Sequence, residues 1–361
     1  MKPDGGLGAG RSSSNRKYSK RGYIMNWKML AAFVAILSFL LVLVPKQSEA
    51  SAPTCYSPNQ PKRNYINVSV STLWKVPGTK RTIDKYSLSN PVDMRKWTAS
   101  MPSANTRKWL TGKTETQALY GQEVQILKTS GRWLQIAVKD QYTAKNKYGY
   151  PGWVPKSHVT KQQAGYNNCR KAIVKTKTAD LYDDKNKKYM EISFNARLFV
   201  TKTEKDWIKV ITPSSQTKWL KRSDVKIYAA STKIPKPSGS NLVNTAKMFL
   251  GLPYLWAGTS AYGFDCSGFT HSVYKYHGIT IPRDASEQIK KGKSVSKNQL
   301  HPGDLLFFAY NNGKGRVHHV SMYAGNGKMI HAPRAGKKIE IISINTEPYK
   351  QEFAGARRFA Y

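Results

Sequence analysis

Between residues 64 and 228 the chain consists largely of short runs in which apolar and polar residues alternate. Ile66-Asn67-Val68-Ser69-Val70, Val124-Gln125-Ile126-Leu127 and Trp133-Leu134-Gln135-Ile136-Ala137-Val138 are examples, separated by stretches containing Gly, Asn and Pro. Alternation of this period predicts half-buried strands in small β-barrels or sandwiches. The pattern also repeats: residues 121–136 align with 195–210, bringing Trp133 onto Trp207, and 153–159 align with 219–225. The offset between copies shortens by eight residues across 139–152, so the first copy carries the longer loop there. Two copies of one strand set predict two small β-domains, 64–160 and 169–228. Trp133 and Trp207 read as core filling. The polar, Pro-containing residues 53–63 read as a tether, and the Pro/Ser/Gly-rich 229–240 as a linker.

Beyond the linker the pattern changes. Leu242, Ala246, Phe249 and Leu250 suit an amphipathic helix over 241–251, and Phe269, Val273 and Tyr276 a second one after Cys266, stopped by Gly278. Strands are predicted over 304–308, 317–324, 328–332 and 338–342. Helices followed by an antiparallel sheet indicate an α+β domain over 241–361. Gly325-Asn326-Gly327 reads as a three-residue hairpin loop pairing Ala324 with Lys328. That register places His319 and His331 diagonally on one sheet face and His318 on the other.

Composition narrows the setting. The 361 residues hold 59 Lys+Arg against 21 Asp+Glu, a formal charge of +38. Such an excess suits a polyanionic environment, nucleic acid or an anionic cell surface. The N-terminus separates the two. Residues 29–44 form an uncharged apolar run preceded by basic residues and followed by small ones, so 1–52 reads as a secretory signal peptide or an uncleaved anchor. The working compartment is then outside the membrane, which argues against a nucleic-acid partner.

Three cysteines exclude a disulfide-dense scaffold. In an oxidising compartment Cys55 and Cys169, each in a polar stretch, are expected to pair, leaving Cys266 as the free thiol. Cys266 stands where a loop, Gly263-Phe264-Asp265, runs into a helix. The positive end of a helix dipole lowers a thiol pKa and favours a nucleophile. A base is supplied by His318, His319 or His331, three of the seven histidines within fourteen residues. No fourth ligand lies at suitable spacing, so no metal site is expected.

Asp265-Cys266-Ser267-Gly268, His319-Val320-Ser321-Met322-Tyr323-Ala324-Gly325 and Ile330-His331-Ala332, preceded by Pro253-Tyr254-Leu255-Trp256-Ala257-Gly258, resemble in order and spacing the motifs of the NlpC-type cell-wall cysteine peptidases. The resemblance covers 241–361. The upstream repeats, with Thr116-Gln117-Ala118-Leu119-Tyr120-Gly121 and Gly149-Tyr150-Pro151-Gly152-Trp153, resemble the tandem bacterial SH3-like domains of the subgroup acting as γ-D-glutamyl-L-diamino-acid endopeptidases. The resemblance implies two SH3-like barrels followed by a papain-like α+β thiol peptidase domain. It implies Cys266 as nucleophile, His319 as base and His331 as its orienting residue, with Tyr254 and the Cys266 N–H facing the oxyanion. Asp265 would hold the amine of the substrate's N-terminal L-Ala, with Ser267 and Asp284 beside it. Glu123 and Tyr150 would close the groove from the first barrel, although Gly121-Gln122-Glu123 departs from the subgroup's Gly-Glu pattern.

The expected protein is a secreted or wall-associated, monomeric peptidoglycan hydrolase without cofactor, acting on stem peptides and attracted to anionic wall polymers. Contact with the membrane would come only through an uncleaved N-terminus. The rival readings are a thiol amidase or acyltransferase on the same fold and a catalytically silent wall-binding protein. The diamino acid, L-Lys or diaminopimelate, stays open.

Overall fold

The computed structural model describes residues 55–78, 81–163 and 165–359. The signal or anchor assigned to 1–52 lies outside them. Among the described residues no helix is long and apolar enough to cross a membrane.

Seven strands build the first barrel: β1 (Lys62–Ile66), β2 (Val70–Trp74), β3 (Thr114–Leu119), β4 (Glu123–Ser130), β5 (Trp133–Val138), β6 (Tyr150–Pro155) and β7 (Val159–Gln163). Their hydrogen-bonded order is β3-β2-β6-β5-β4-β1-β7. Seven more build the second: β8 (Lys171–Val174), β9 (Thr178–Tyr182), β10 (Lys188–Ser193), β11 (Arg197–Thr203), β12 (Trp207–Ile211), β13 (Thr217–Lys221) and β14 (Val225–Tyr228). Their order is β10-β9-β13-β12-β11-β8-β14, the first order with seven added to every label. The repeat in the sequence is therefore a repeat of topology. Along β6 and β9 buried and half-buried residues alternate, as a strand with one face on a core requires.

Three differences from the sequence reading stand out here. The first barrel is not purely β. Between β2 and β3 it carries three helices, α1 (Lys85–Leu88), α2 (Met94–Ala99) and α3 (Ala104–Lys108). Each spans only four to six residues, too few for a helical period to show. Asp93 and Ser103 cap α2 and α3 by accepting from the N–H groups of Lys96 and Thr106. Secondly, residues 55–63 of the expected tether are not free. Cys55 is disulfide-bonded to Cys169, Ser57 donates its N–H to the Gly165 carbonyl at 2.8 Å, and β1 begins at Lys62.

The third domain starts with α4 (Gly239–Lys247), capped by Ser238. Two short strands, β15 (Thr259–Ser260) and β16 (Gly263–Phe264), lead into α5 (Cys266–Tyr276), followed by α6 (Ala285–Gln288). Strands β17 (Lys293–Val295), β18 (Leu305–Ala309), β19 (Val317–Gly325), β20 (Lys328–His331), β21 (Glu340–Ser343) and β22 (Phe353–Arg358) form one antiparallel sheet in the order β17-β22-β18-β19-β20-β21, with α7 (Tyr349–Glu352) before β22. Helices α4 and α5 pack on this sheet through Leu242, Ala246, Phe269, Val273, Phe307, Val320 and Met322. Phe194 of the second barrel joins the same core.

The third difference is the β19–β20 turn. Gly325 pairs with Lys328, so the loop has two residues, Asn326 and Gly327, both at positive φ as a type I′ turn requires. A bulge between Tyr323 and Gly325 leaves Ala324 unpaired, and Met322 faces Ile330. A regular two-residue hairpin would put His319 and His331 on opposite faces. The bulge returns them to one face.

Candidate active site

Asp265 caps α5, accepting from the Gly268 N–H at 2.6 Å, and so fixes Cys266 as the first helical residue. The backbone N–H groups of that first turn have no intrahelical acceptor. Cys266 is the free cysteine and keeps partial exposure at a cavity of about 1220 Å³. Tyr254, Asp265, Ser267, His318 and His319 line the same cavity. His319 and His331 are buried and share a hydrogen bond of 2.9 Å between Nε2 and Nδ1. Tyr349 lies against both rings, with centroids 5.4 and 5.0 Å away, and Phe308 stacks beside His319. The second ring nitrogen of His331 is 3.5 Å from Glu340 on the neighbouring strand. His318 takes another course, stacking on Tyr310 with its Nε2 3.1 Å from Glu352.

The electrostatics differ from the sequence expectation. Burial pushes the Cys266 thiol up to about 12 and Asp265 adds to the rise. Backbone hydrogen bonds involving Val320 and Ser267, with the Arg283 charge, pull the other way without winning. Burial also lowers His319 well below 6.5, helped by His331 and His318, and brings His331 down to about 4. Burial thus favours the neutral forms of the thiol and of both imidazoles. Desolvation at the floor of the cavity outweighs the helix end. Tyr254 is raised well above its ordinary value by burial, then by Cys266 and Asp265, and keeps its proton to donate.

A family model described as "NlpC/P60 family" matches residues 251–358, and one described as "YKFC SH3b2 domain" matches 174–228. A γ-D-glutamyl-L-lysine dipeptidyl-peptidase of Bacillus cereus is 48% identical over 82% of this chain and 90% of its own length. One from Bacillus subtilis is 36% identical over 80% and 96%. The chain belongs to the NlpC/P60 family. A crystal structure of an NlpC/P60 family protein from Bacillus cereus superposes with a TM-score of 0.80 at 48% identity, covering 83% of this chain and all of the other. The barrels are accordingly SH3-like, the third domain is papain-like, and the protein is a peptidase.

In this NlpC/P60 peptidase several residues linked above to substrate stand elsewhere or are already engaged. Glu123 does not line the cavity; Arg63 and Lys139 hold its carboxylate on the barrel surface. The carboxylate that the first barrel does present is Glu115 on β3, eight residues earlier in the chain. Asp265 is at the cavity, but Arg283 donates to both of its oxygens, at 3.1 and 2.7 Å. Ser267 donates to Asp265 and accepts from Arg283. Burial works against the Arg283 charge, yet Asp265 outweighs it and the guanidinium stays charged. Its Nε donates to Thr116 at 2.9 Å, tying the pair to β3.

Sequence reasoning passed over Arg283, although it adjoins Asp284. Asp284 stands at the N-cap of α6 without capping it. Its carboxylate instead accepts from the Tyr150 hydroxyl at 3.0 and 3.1 Å and lies 3.4 Å from Lys145. Glu115, Lys145, Tyr150 and Asp284 therefore form one polar cluster in the cavity wall. Among the described residues no His/Cys/Asp/Glu group could hold a metal ion.

Proposed function

We propose that the protein hydrolyses the γ-D-glutamyl-L-diamino acid bond of peptidoglycan stem peptides outside the membrane, through a thioester on Cys266. The observation carrying this reading is a free thiol at a helix start, sharing its cavity with His319, which is hydrogen-bonded to the buried His331, and with an acidic cluster suited to an amine. The names of the two long relatives make L-Lys the first diamino acid to test. The Cys55–Cys169 disulfide and the +38 charge favour an oxidising, polyanion-rich setting such as the wall.

His319 donates through Nε2 to His331 Nδ1, which leaves its Nδ1 to accept the thiol proton. His331 then keeps its own proton on Nε2, towards Glu340. The sulfur attacks the γ-carbonyl carbon while the Tyr254 hydroxyl and the Cys266 N–H meet the developing oxyanion, each such donor typically worth about 3 kcal/mol. Collapse breaks the C–N bond, and the departing amine takes the proton from His319. Water, deprotonated by His319, attacks the thioester carbon; the C–S bond breaks, the γ-carboxylate is freed and the Cys266 sulfur takes the proton back from His319. The free amine of L-Ala is held by Glu115, Asp284 and Tyr150, with Asp265 and Ser267 kept in place by Arg283.

Digestion of L-Ala-γ-D-Glu-L-Lys, its diaminopimelate analogue and a muramyl-linked stem peptide, followed by product mass analysis, tests the reading. Release of L-Ala-D-Glu, absent in Cys266→Ser, is expected. Cleavage only at an amide joining glycan to stem would replace it with the amidase reading.

A further inference from the structure

The two barrels share a strand order but not a covering. In the first, Trp74, Trp153 and Gln135 form one cross-strand row over β2, β6 and β5. Residues 75–113 fold over that row, and Trp74, Trp133 and Trp153 pack with Met94, Trp97, Met101 and Leu110. In the second, Tyr182, Trp219 and Lys209 form the matching row over β9, β13 and β12, with Trp207 in the place of Trp133. Here residues 183–187 alone join β9 to β10, and they hold no helix. Ile208 and Val210 enter the core, so Trp207, read from sequence as core filling, faces outward with Lys209. Lys185 and Lys209 place their ammonium groups 4.6 and 5.2 Å from the Trp219 ring centroid, and Tyr182 meets Trp207 edge-on at 5.2 Å. Beside Trp207 lies a recess of about 330 Å³ lined by Lys205, Lys221, Arg222 and Ser223, with Asp206 its one carboxylate. Glu204 engages Lys185 and Lys202, but among the described residues no carboxylate is within ion-pair distance of Lys205, Lys209, Lys221 or Arg222. Residues 169–228 hold 15 Lys+Arg against 7 Asp+Glu.

We infer that this outer face of the second barrel is a binding site for an anionic glycan, a polymer of sugar-bearing units joined through phosphodiesters. An indole ring offers a flat apolar seat to the C–H face of a sugar, and ammonium groups beside it pair with the flanking phosphates. Lys185 and Lys209 lie over the Trp219 ring, and their long stems let the ammonium groups swing out to a phosphate as a sugar takes their place. The cations around the recess beside Trp207 meet the next phosphate along the chain. A neutral glycan leaves these cations unused, and a bare polyphosphate leaves the rings unused. The Cys55–Cys169 disulfide favours a wall polymer over nucleic acid. In the first barrel α1 to α3 close the same face. The site lines no part of the catalytic cavity, and it does not depend on which bond is cleaved there.

Calorimetry on the inert Cys266→Ala protein tests this with three probes: poly(ribitol phosphate) carrying N-acetylglucosamine, chitohexaose and inorganic polyphosphate. The glycosylated polymer is expected to bind most tightly, and less so as salt rises. Trp219→Ala is expected to weaken it about tenfold while changing polyphosphate less than about twofold. Lys209→Gln with Lys221→Ala, the glutamine being the first barrel's residue at that position, is expected to weaken both charged probes about fivefold or more. Lys290→Ala with Lys291→Ala, at exposed positions of the catalytic domain, removes equal charge and is expected to change neither by more than about twofold. Equal losses in the two lysine pairs would mean that net charge alone attracts the polymer and would overturn the inference. So would unchanged affinity in Trp219→Ala, or tighter binding of a thymidine oligonucleotide than of the glycosylated polymer. If Trp219→Ala lowers the Tm, the two lysine pairs decide.

Discussion

In the first barrel the connection between β5 and β6 reaches the catalytic cavity, carrying Lys145 and ending at Tyr150; the matching connection in the second barrel, between β12 and β13, lines no part of it. The β2–β3 connection differs in the same way. In the first barrel it holds α1 to α3; Met94, Trp97, Met101 and Leu110 of this connection pack with Leu255 and Tyr262 of the catalytic domain, and its Arg107 donates to the Tyr254 carbonyl at 3.2 Å. The second barrel touches the catalytic domain away from the cavity. Phe194 enters the core against Phe249 and Tyr276, Asn195 donates to the Ser272 carbonyl, and Ser193 accepts from the Ala261 N–H. One strand order thus serves as a wall of the site in one copy and as a buttress behind α5 in the other. What separates them is loop length, since the strands coincide.

Breaking the wall should cost most at Arg283, where Thr116 of the first barrel and Asp265 meet. Arg283→Met leaves a buried carboxylate unpaired beside the nucleophile, and urea denaturation should show a loss of about 3–5 kcal/mol together with lost turnover. Arg95→Met, at an ion pair between the barrels whose arginine is largely exposed, should lose less than about 1 kcal/mol. Next come Trp97→Ala and Phe194→Ala. Both remove a buried aromatic ring and should destabilise by about 3 kcal/mol, but only the first should also lower kcat/KM in the cold, by about tenfold. Equal kinetic losses would erase the distinction between wall and buttress.

Acid should also separate the barrels. His158 in the first is fully buried between the Ser71 hydroxyl and the Ser89 carbonyl, and burial brings it down to about 4; residues 169–228 contain no histidine. The unfolded chain takes up this proton near 6.5, so the contribution is complete above that pH and is lost as the pH falls towards 4, by up to about 3 kcal/mol. Hydrogen exchange at pH 7 and 4.5 should show the first barrel losing protection before the second. The smallest effect is at the cluster itself. Tyr150→Phe removes a hydrogen bond to Asp284 and should raise KM for a free-ended peptide by about fivefold, equivalent to about 1 kcal/mol, with kcat little changed. Glu123→Gln is the control and should change KM less than about twofold.

The strand repeat was legible because Trp133 and Trp207 open equivalent strands and the alternation on either side survives in both copies. The Cys266, His319 and His331 motifs were legible because each is a run of local sequence. The rest was hidden for physical reasons. Helices α1 to α3 are too short to display a period, so nothing in the sequence marks Trp97 as helical. Glu115 and Glu123 both flank β-turn-like sequence, and only the folding of β3 shows which one faces the cavity. Arg283 and Lys145 act through partners distant in sequence, and nothing local marks them. The thiol expectation failed on burial: a helix start is visible in sequence, whereas the desolvation that overrides it is a property of the assembled cavity.

The Cys55–Cys169 bond, which anchors the segment before β1, also encloses the whole first barrel in a covalent ring. A protease cutting once anywhere between residues 56 and 168, for instance at the exposed Lys145 or Lys147, opens the ring without releasing a fragment. Both pieces stay attached, and the barrel's docked surfaces hold them in register. In surroundings where other hydrolases act, a nick that would cost an uncrosslinked relative its cavity wall becomes a scar visible only after reduction.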